Sequence, residues 1–110
     1  MNLKTFVILP VLALSGCATT AAGLLDSPIE QTVQSDKSPQ QFAECSVDNM
    51  SGQTDIRGSG DHYYVLRFSG YQMPYARWDF RSRPGGGSVA ELRRANISVG
   101  SGAGDVRDCA

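Results

Sequence analysis

Three thiols are the side chains here best suited to chemistry, and their settings differ. Cys17 follows Leu14-Ser15-Gly16, at the end of an apolar run that begins at Phe6. Its thiol is the one group in that stretch nucleophilic enough to be alkylated, and the small residues before it let a backbone enter an enzyme in extended form. Cys45 and Cys109 remain as an even pair, which in an oxidising compartment points to a disulfide. A metal pair and a reactive thiol are the rivals. Two cysteines and the single histidine, His62, without C-x-x-C spacing, make a weak zinc site, so no metal is expected.

Other reactive arrangements are weaker still. His62 lies beside Asp61, but no G-x-S-x-G elbow supplies a serine nucleophile for such a pair. A strand-edge histidine is the simpler reading. Gly85-Gly86-Gly87 and Gly100-Ser101-Gly102 lack the Lys-Ser/Thr spacing of a phosphate loop and read as turns, so no cofactor is expected. No stretch carries a recognisable reaction, and a non-enzymatic role is the expectation.

The first residues read as an address. Met1 to Thr5 carries Lys4 as its only charge, and Phe6 to Leu14 is nine apolar residues. That is too short for a bilayer, which takes roughly 20, and fits the core of a secretory signal. Leu14-Ser15-Gly16-Cys17 then resembles the lipobox of bacterial lipoproteins, Leu-(Ala/Ser)-(Gly/Ala)-Cys, at all four positions. The resemblance implies a diacylglyceryl group on the Cys17 thiol, cleavage between Gly16 and Cys17, and acylation of the new amine. Each buried CH₂ would contribute about 0.8 kcal/mol, so two or three acyl chains hold firmly where one would not. Ala18 stands where an aspartate would retain such a protein in the inner membrane of enteric bacteria. The implied destination is therefore the outer membrane, facing the periplasm.

Elements beyond the anchor must position the remaining groups. Without residues 1–16 the chain has 94 residues, enough for one small domain and a tether. Residues 17–37 are rich in Ala, Thr, Ser and Gln and read as a flexible tether, because few apolar groups are there to offset ordering. Leu24, Leu25 and Ile29 could instead form a short turn that docks on the domain or the membrane. Residues 38–110 read as the domain. Ser38-Pro39-Gln40-Gln41 is a strong helix start: an N-cap, a proline at the first position and a capping-box glutamine. The helix would bury Phe42, Cys45 and Val47 and stop at Ser51-Gly52.

Gln53 to Arg57 reads as a short strand, followed by a turn at Gly58-Ser59-Gly60-Asp61. His62 to Ser69 and Tyr75 to Arg83 alternate in the manner of half-buried strands. Pro84-Gly85-Gly86-Gly87 turns the chain into a third strand, Ser88 to Arg94, for which helix is the rival. Asp105 to Cys109 reads as a last helical turn or an irregular tail. The expected fold class is α+β: one N-terminal helix on a three- or four-stranded antiparallel meander, with a tail stapled to the helix. Leu66, Phe68, Trp78, Phe80 and Leu92 would form the sheet's share of the core.

The opposite face would carry Arg67, Arg77, Arg81 and Arg93 as a candidate surface for anionic ligands. The chain without its leader has nine basic and eleven acidic residues, yet His62 to Ala95 holds six arginines against Asp79 and Glu91. A solvated sheet face is the plainer account of that excess.

The whole pattern resembles small Gram-negative envelope lipoproteins that combine a lipobox, a Ser-Pro-x-x-(Phe/Leu)-Ala-x-Cys helix start, an aromatic hairpin and a C-terminal cysteine. Here these are Leu14 to Cys17, Ser38 to Cys45, Trp78 to Leu92, and Cys109. The resemblance carries no activity. The expectation is a membrane-anchored binding or structural module, whose partner is an envelope protein or an anionic envelope polymer and not a nucleic acid. The alternative is an inhibitor of, or accessory to, a periplasmic hydrolase such as a lysozyme.

Overall fold

The computed structural model describes residues 20–70, 72–95 and 100–110. Residues 1–19, on which the expected leader, lipobox and lipidated Cys17 fall, lie outside them. A 3-10 turn, Gly23–Asp26, comes first, followed by β1 (Gln31–Ser35) and α1 (Pro39–Asn49). Then come β2 (Thr54–Ser59), β3 (His62–Phe68), β4 (Pro74–Ser82), β5 (Ser88–Arg94) and α2 (Ala103–Cys109). The strands form one sheet in the order β1-β5-β4-β3-β2, and every neighbouring pair is antiparallel. The α+β class holds. The sheet has five strands rather than three or four, and α1 is not the first element.

Local chemistry accounts for α1. The Ser38 hydroxyl accepts from the Gln41 amide at 3.2 Å, and the Gln41 side chain accepts from the Ser38 amide at 3.3 Å. Pro39 sits in the first turn, where it has no hydrogen bond to lose. Beyond the helix, Gly52 takes φ +84°, a left-handed conformation that glycine reaches at little cost. The hairpin at 84–87 closes β4 on β5, pairing Ser82 with Ser88, and the strand reading of Ser88 to Arg94 is the correct one.

The tether reading fails for the second half of residues 17–37. β1 pairs with β5 from Gln31↔Leu92 to Ser35↔Ser88, and the Glu30 amide donates to the Leu92 carbonyl at 2.8 Å. Composition missed it because an edge strand is held by its ladder of backbone hydrogen bonds and needs few apolar side chains. Val33 alone packs on the core. Ahead of β1, Leu24 is fully buried, so the rival reading of a docked turn is the one the fold adopts.

α1 and α2 cover one face of the sheet. Phe42, Val65, Trp78, Phe80, Leu92 and Val106 are among the fully buried residues of this core. Phe42 meets Phe80 edge to face, with ring centroids 5.1 Å apart. The Trp78 indole donates to the Ser101 carbonyl at 2.8 Å, which satisfies its one polar atom. β3 differs from expectation. Register pairs Val65 with Trp78 and Tyr63 with Phe80, so Leu66 faces the other side. Alternation says that two faces exist, and with apolar residues on both it does not say which meets the helix. Phe68 lies beyond a register shift after Arg67 and stays half-buried, outside the core cluster.

Cys45 and Cys109 are joined by a disulfide across a sequence separation of 64, with their Cα atoms 5.8 Å apart. The bond ties α1 to α2, and with it the C-terminal end of the chain to the first helix.

Candidate functional site

Strand alternation gathers the chemistry-bearing residues on the face away from the helices. In β4, Arg77, Asp79 and Arg81 share that face, and β5 adds Glu91 and Arg93. β3 adds His62 beside Arg81, Tyr64 beside Asp79, and Leu66 beside Arg77. Asp79 is the centre. Its side chain is 0% exposed although it carries a charge.

Arg77 clamps that carboxylate from two directions, with Nε 2.9 Å from Oδ2 and Nη2 2.9 Å from Oδ1. This is the bidentate fork that a planar guanidinium forms with a carboxylate. The same guanidinium stacks over the Tyr64 ring, 3.9 Å from its centroid, which fixes its plane. His62 Nε2 lies 2.7 Å from Asp79 Oδ1. An ionised carboxylate only accepts, so Nε2 carries the proton of that bond. Arg93 Nη1 stands 3.5 Å from Oδ2. Arg81 stands 3.9 Å from Asp79 and 3.6 Å from Glu91.

Two opposed effects set the charge of Asp79. Burial pushes its carboxyl up, whereas the hydrogen bonds from Arg77 and His62, together with the positive charge of Arg77, pull it down. The second group wins, and Asp79 is held below its ordinary value. It is therefore an anion at neutral pH, buried and matched by its neighbours.

The arginines reach outward as well. Arg77 Nη1 donates to the Ala21 carbonyl at 3.0 Å, and Arg93 Nε donates to the Ser27 carbonyl at 3.1 Å. Between those two points runs the 3-10 turn with its buried Leu24. The segment is thus strapped across the second face by two guanidiniums that Asp79 holds in place.

The four expected ligand-face arginines consequently divide. Arg67 is on the other face, opposite Ala76, and donates to the Ser51 carbonyl at 3.1 Å. The register that turns Leu66 outward turns Arg67 inward. Arg77 is 5% exposed and spent on Asp79, so it cannot serve an outside anion. Arg93 is mostly covered and shares the same carboxylate. Arg81, with 43% of its side chain exposed, is the member still open to solvent. His62 pairs with Asp79 and not with adjacent Asp61, whose carboxylate instead accepts from the Ser82 hydroxyl.

Asp79 was the residue missed. The Arg-x-Asp-x-Arg spacing places it between two cations on one strand face, which is a legible signal for a central counter-ion. Chemically, Asp79, Arg77 and His62 direct their hydrogen bonds at one another and at the strap. Arg81 stays open to solvent, while Arg93 Nη1, buried, has Asp79 only as an ion-pair partner at 3.5 Å. Among the described residues no group of three or more His, Cys, Asp or Glu could hold a metal ion.

A second polar site lies where the 84–87 turn meets the β1–α1 connection. A cavity of about 210 Å³ is lined by Gln34, Ser35, Asp36, Arg83 and Ala110. Arg83 donates there to the Gln34 side chain at 2.9 Å and to the Ser35 carbonyl at 3.3 Å, and lies 3.7 Å from Asp36. Gly87, at φ +77°, lets the turn approach: a Cβ on it would sit 2.3 Å from the Ser35 carbonyl oxygen. These contacts join the loop to the hairpin. Comparison of the chain with protein-family models, curated proteins and solved structures gives no match.

Proposed function

We propose that this chain is a bacterial envelope lipoprotein, held in the outer membrane through lipid on Cys17, whose small domain is a non-enzymatic binding or structural module facing the periplasm. The observation that carries the proposal is Leu14-Ser15-Gly16-Cys17 directly after nine apolar residues. Two features of the domain support it. A Cys45–Cys109 disulfide suits an oxidising compartment. On the second face, moreover, Arg77 and Arg93 are engaged with Asp79 and with the carbonyls of residues 21 and 27. The partner in this reading is an envelope protein or an anionic envelope polymer, with Arg81 the accessible cation of the original four.

Expression in a Gram-negative host tests the anchor. The wild-type chain should partition into the detergent phase and incorporate labelled palmitate. Cys17→Ser should accumulate as uncleaved precursor without label. A wild-type product that is cleaved, water-soluble and unlabelled would remove the lipoprotein reading.

A further inference from the structure

We propose that the domain lies flat against the phospholipid surface that anchors it, with the strapped second face of the sheet turned toward the bilayer. The inference rests on Cys17 being lipidated and adds to it an orientation and a contact surface.

Chain length is the first ground. Only Ala18 and Thr19 separate Cys17 from Thr20. Three Cα-to-Cα steps span at most about 11 Å, whatever their conformation. Thr20 already belongs to the fold: its carbonyl accepts from the Leu24 amide at 3.0 Å, and its hydroxyl accepts from the Gly23 amide at 2.9 Å. Ala21 is the next residue, and its carbonyl is the one that Arg77 holds. Acyl chains on Cys17 would therefore enter the membrane within about 11 Å of Thr20, on the side of the sheet that the strap covers. A long swinging tether is not available, because the segment that would supply it is strapped down.

The surface chemistry agrees. On the strapped segment Leu24 turns inward, while Leu25 and Ile29 remain 42% and 44% exposed. Large apolar side chains beside an anchor can be buried at the boundary between headgroups and acyl chains. Arg81 is exposed on the same sheet face, where a guanidinium would meet lipid phosphates. The exposed side of α1, by contrast, presents Gln40, Gln41, Glu44 and Asp48, groups suited to water.

Fluorescence quenching in proteoliposomes tests this with the full lipidated chain. Native Trp78 is the sole tryptophan, so the wild type gives the baseline. Leu25→Trp and Ile29→Trp would each place a probe on the strap, and Glu44→Trp would place one on α1. All three positions are exposed, so the fold should tolerate them. With lipids brominated on the acyl chain near the headgroup, the probes at 25 and 29 should lose most of their added emission while the probe at 44 keeps it. Equal quenching at all three sites, or none at 25 and 29, would overturn the orientation. A blue-shifted but unquenched probe at 25 would mean that a second protein copy covers the strap, and would overturn it too. Palmitate labelling of the same preparation separates the two claims. Labelled but unquenched protein defeats the orientation alone, whereas unlabelled protein defeats the lipoprotein reading and the orientation with it.

Discussion

Asp79→Ala should lower the unfolding free energy by about 3–5 kcal/mol, the usual cost of removing one partner from a buried ion pair. The size follows from what is left behind. Arg77 would keep a guanidinium in a site that is 5% exposed, with its Nε and Nη2 no longer satisfied. Arg93 would lose the same counter-charge. Both arginines also hold the strap, so residues 20–27 should loosen together with the cluster. For a domain of this size each kcal/mol moves the melting temperature by about 4–8 °C, so a drop of about 12–40 °C is expected. Asp55→Ala, at an exposed pair with Arg57, should leave the melting temperature nearly unchanged.

The same residue gives the acid limb of stability a definite sign. The folded-state value of Asp79 is lowered, so the unfolded chain takes up its proton first as pH falls. Its contribution is complete above the unfolded carboxyl value of about 4 and is lost as pH falls through the lower folded value. Asp79→Asn should therefore flatten the acid decline seen in the wild type. Thermal unfolding from neutral to acid pH, read by circular dichroism, measures both effects. A loss below about 1 kcal/mol at neutral pH would show that Asp79 is solvated and not held by Arg77 and His62.

Cys45→Ala combined with Cys109→Ala should have an effect of similar size. The bond closes a loop with a sequence separation of 64, and loop-closure entropy assigns such a cross-link about 4 kcal/mol. The double variant avoids the free thiols that reduction would leave. Its loss should appear first in α2, a seven-residue helix too short to persist alone. Ala103, Val106 and Cys109 are its buried contacts with the core. Denaturant titration should give a lower midpoint in proportion to that energy. An unchanged midpoint would mean that packing of α2 holds the tail without the bond.

Those two features were unequally legible in the amino-acid order. The disulfide could be read by elimination, since three cysteines less Cys17, in its lipobox-like setting, leave a pair. α1 was equally plain, because Ser38, Pro39 and Gln41 carry their start signal within four residues. The hairpin was marked by three glycines after a strand with clean alternation. By contrast, β1 is written as Gln31-Thr32-Val33-Gln34-Ser35, and nothing local distinguishes it from a spacer. Its partner β5 is far along the chain, and only that pairing makes it a strand.

The faces of β3 were hidden for a different reason. Tyr63 and Val65 compete with Tyr64 and Leu66 on nearly equal terms, and the choice is made by register with Trp78 and Phe80. Leu66 faces away from the helices yet is nearly fully buried, and Leu24 is buried in a turn that packs on β4 and β5. The arginine face looked solvated because its counter-ion and its cover come from separate parts of the chain. Asp79 was visible between Arg77 and Arg81. The strap that seals the group was not, since it depends on the Ala21 and Ser27 carbonyls, which no side-chain pattern reports.

Whether residues 20–35 belong to the folded domain decides how near an anchor on Cys17 would hold it to a membrane. Native-state hydrogen exchange on the full chain measures this directly. The Leu24 and Glu30 amides, which donate to Thr20 and Leu92, should exchange slowly, and the β1 amides paired with β5 should be protected along with the sheet. Exchange at the rate of an unprotected chain throughout residues 20–35, with α1 and β3 to β5 still protected, would restore a free tether and contradict the account.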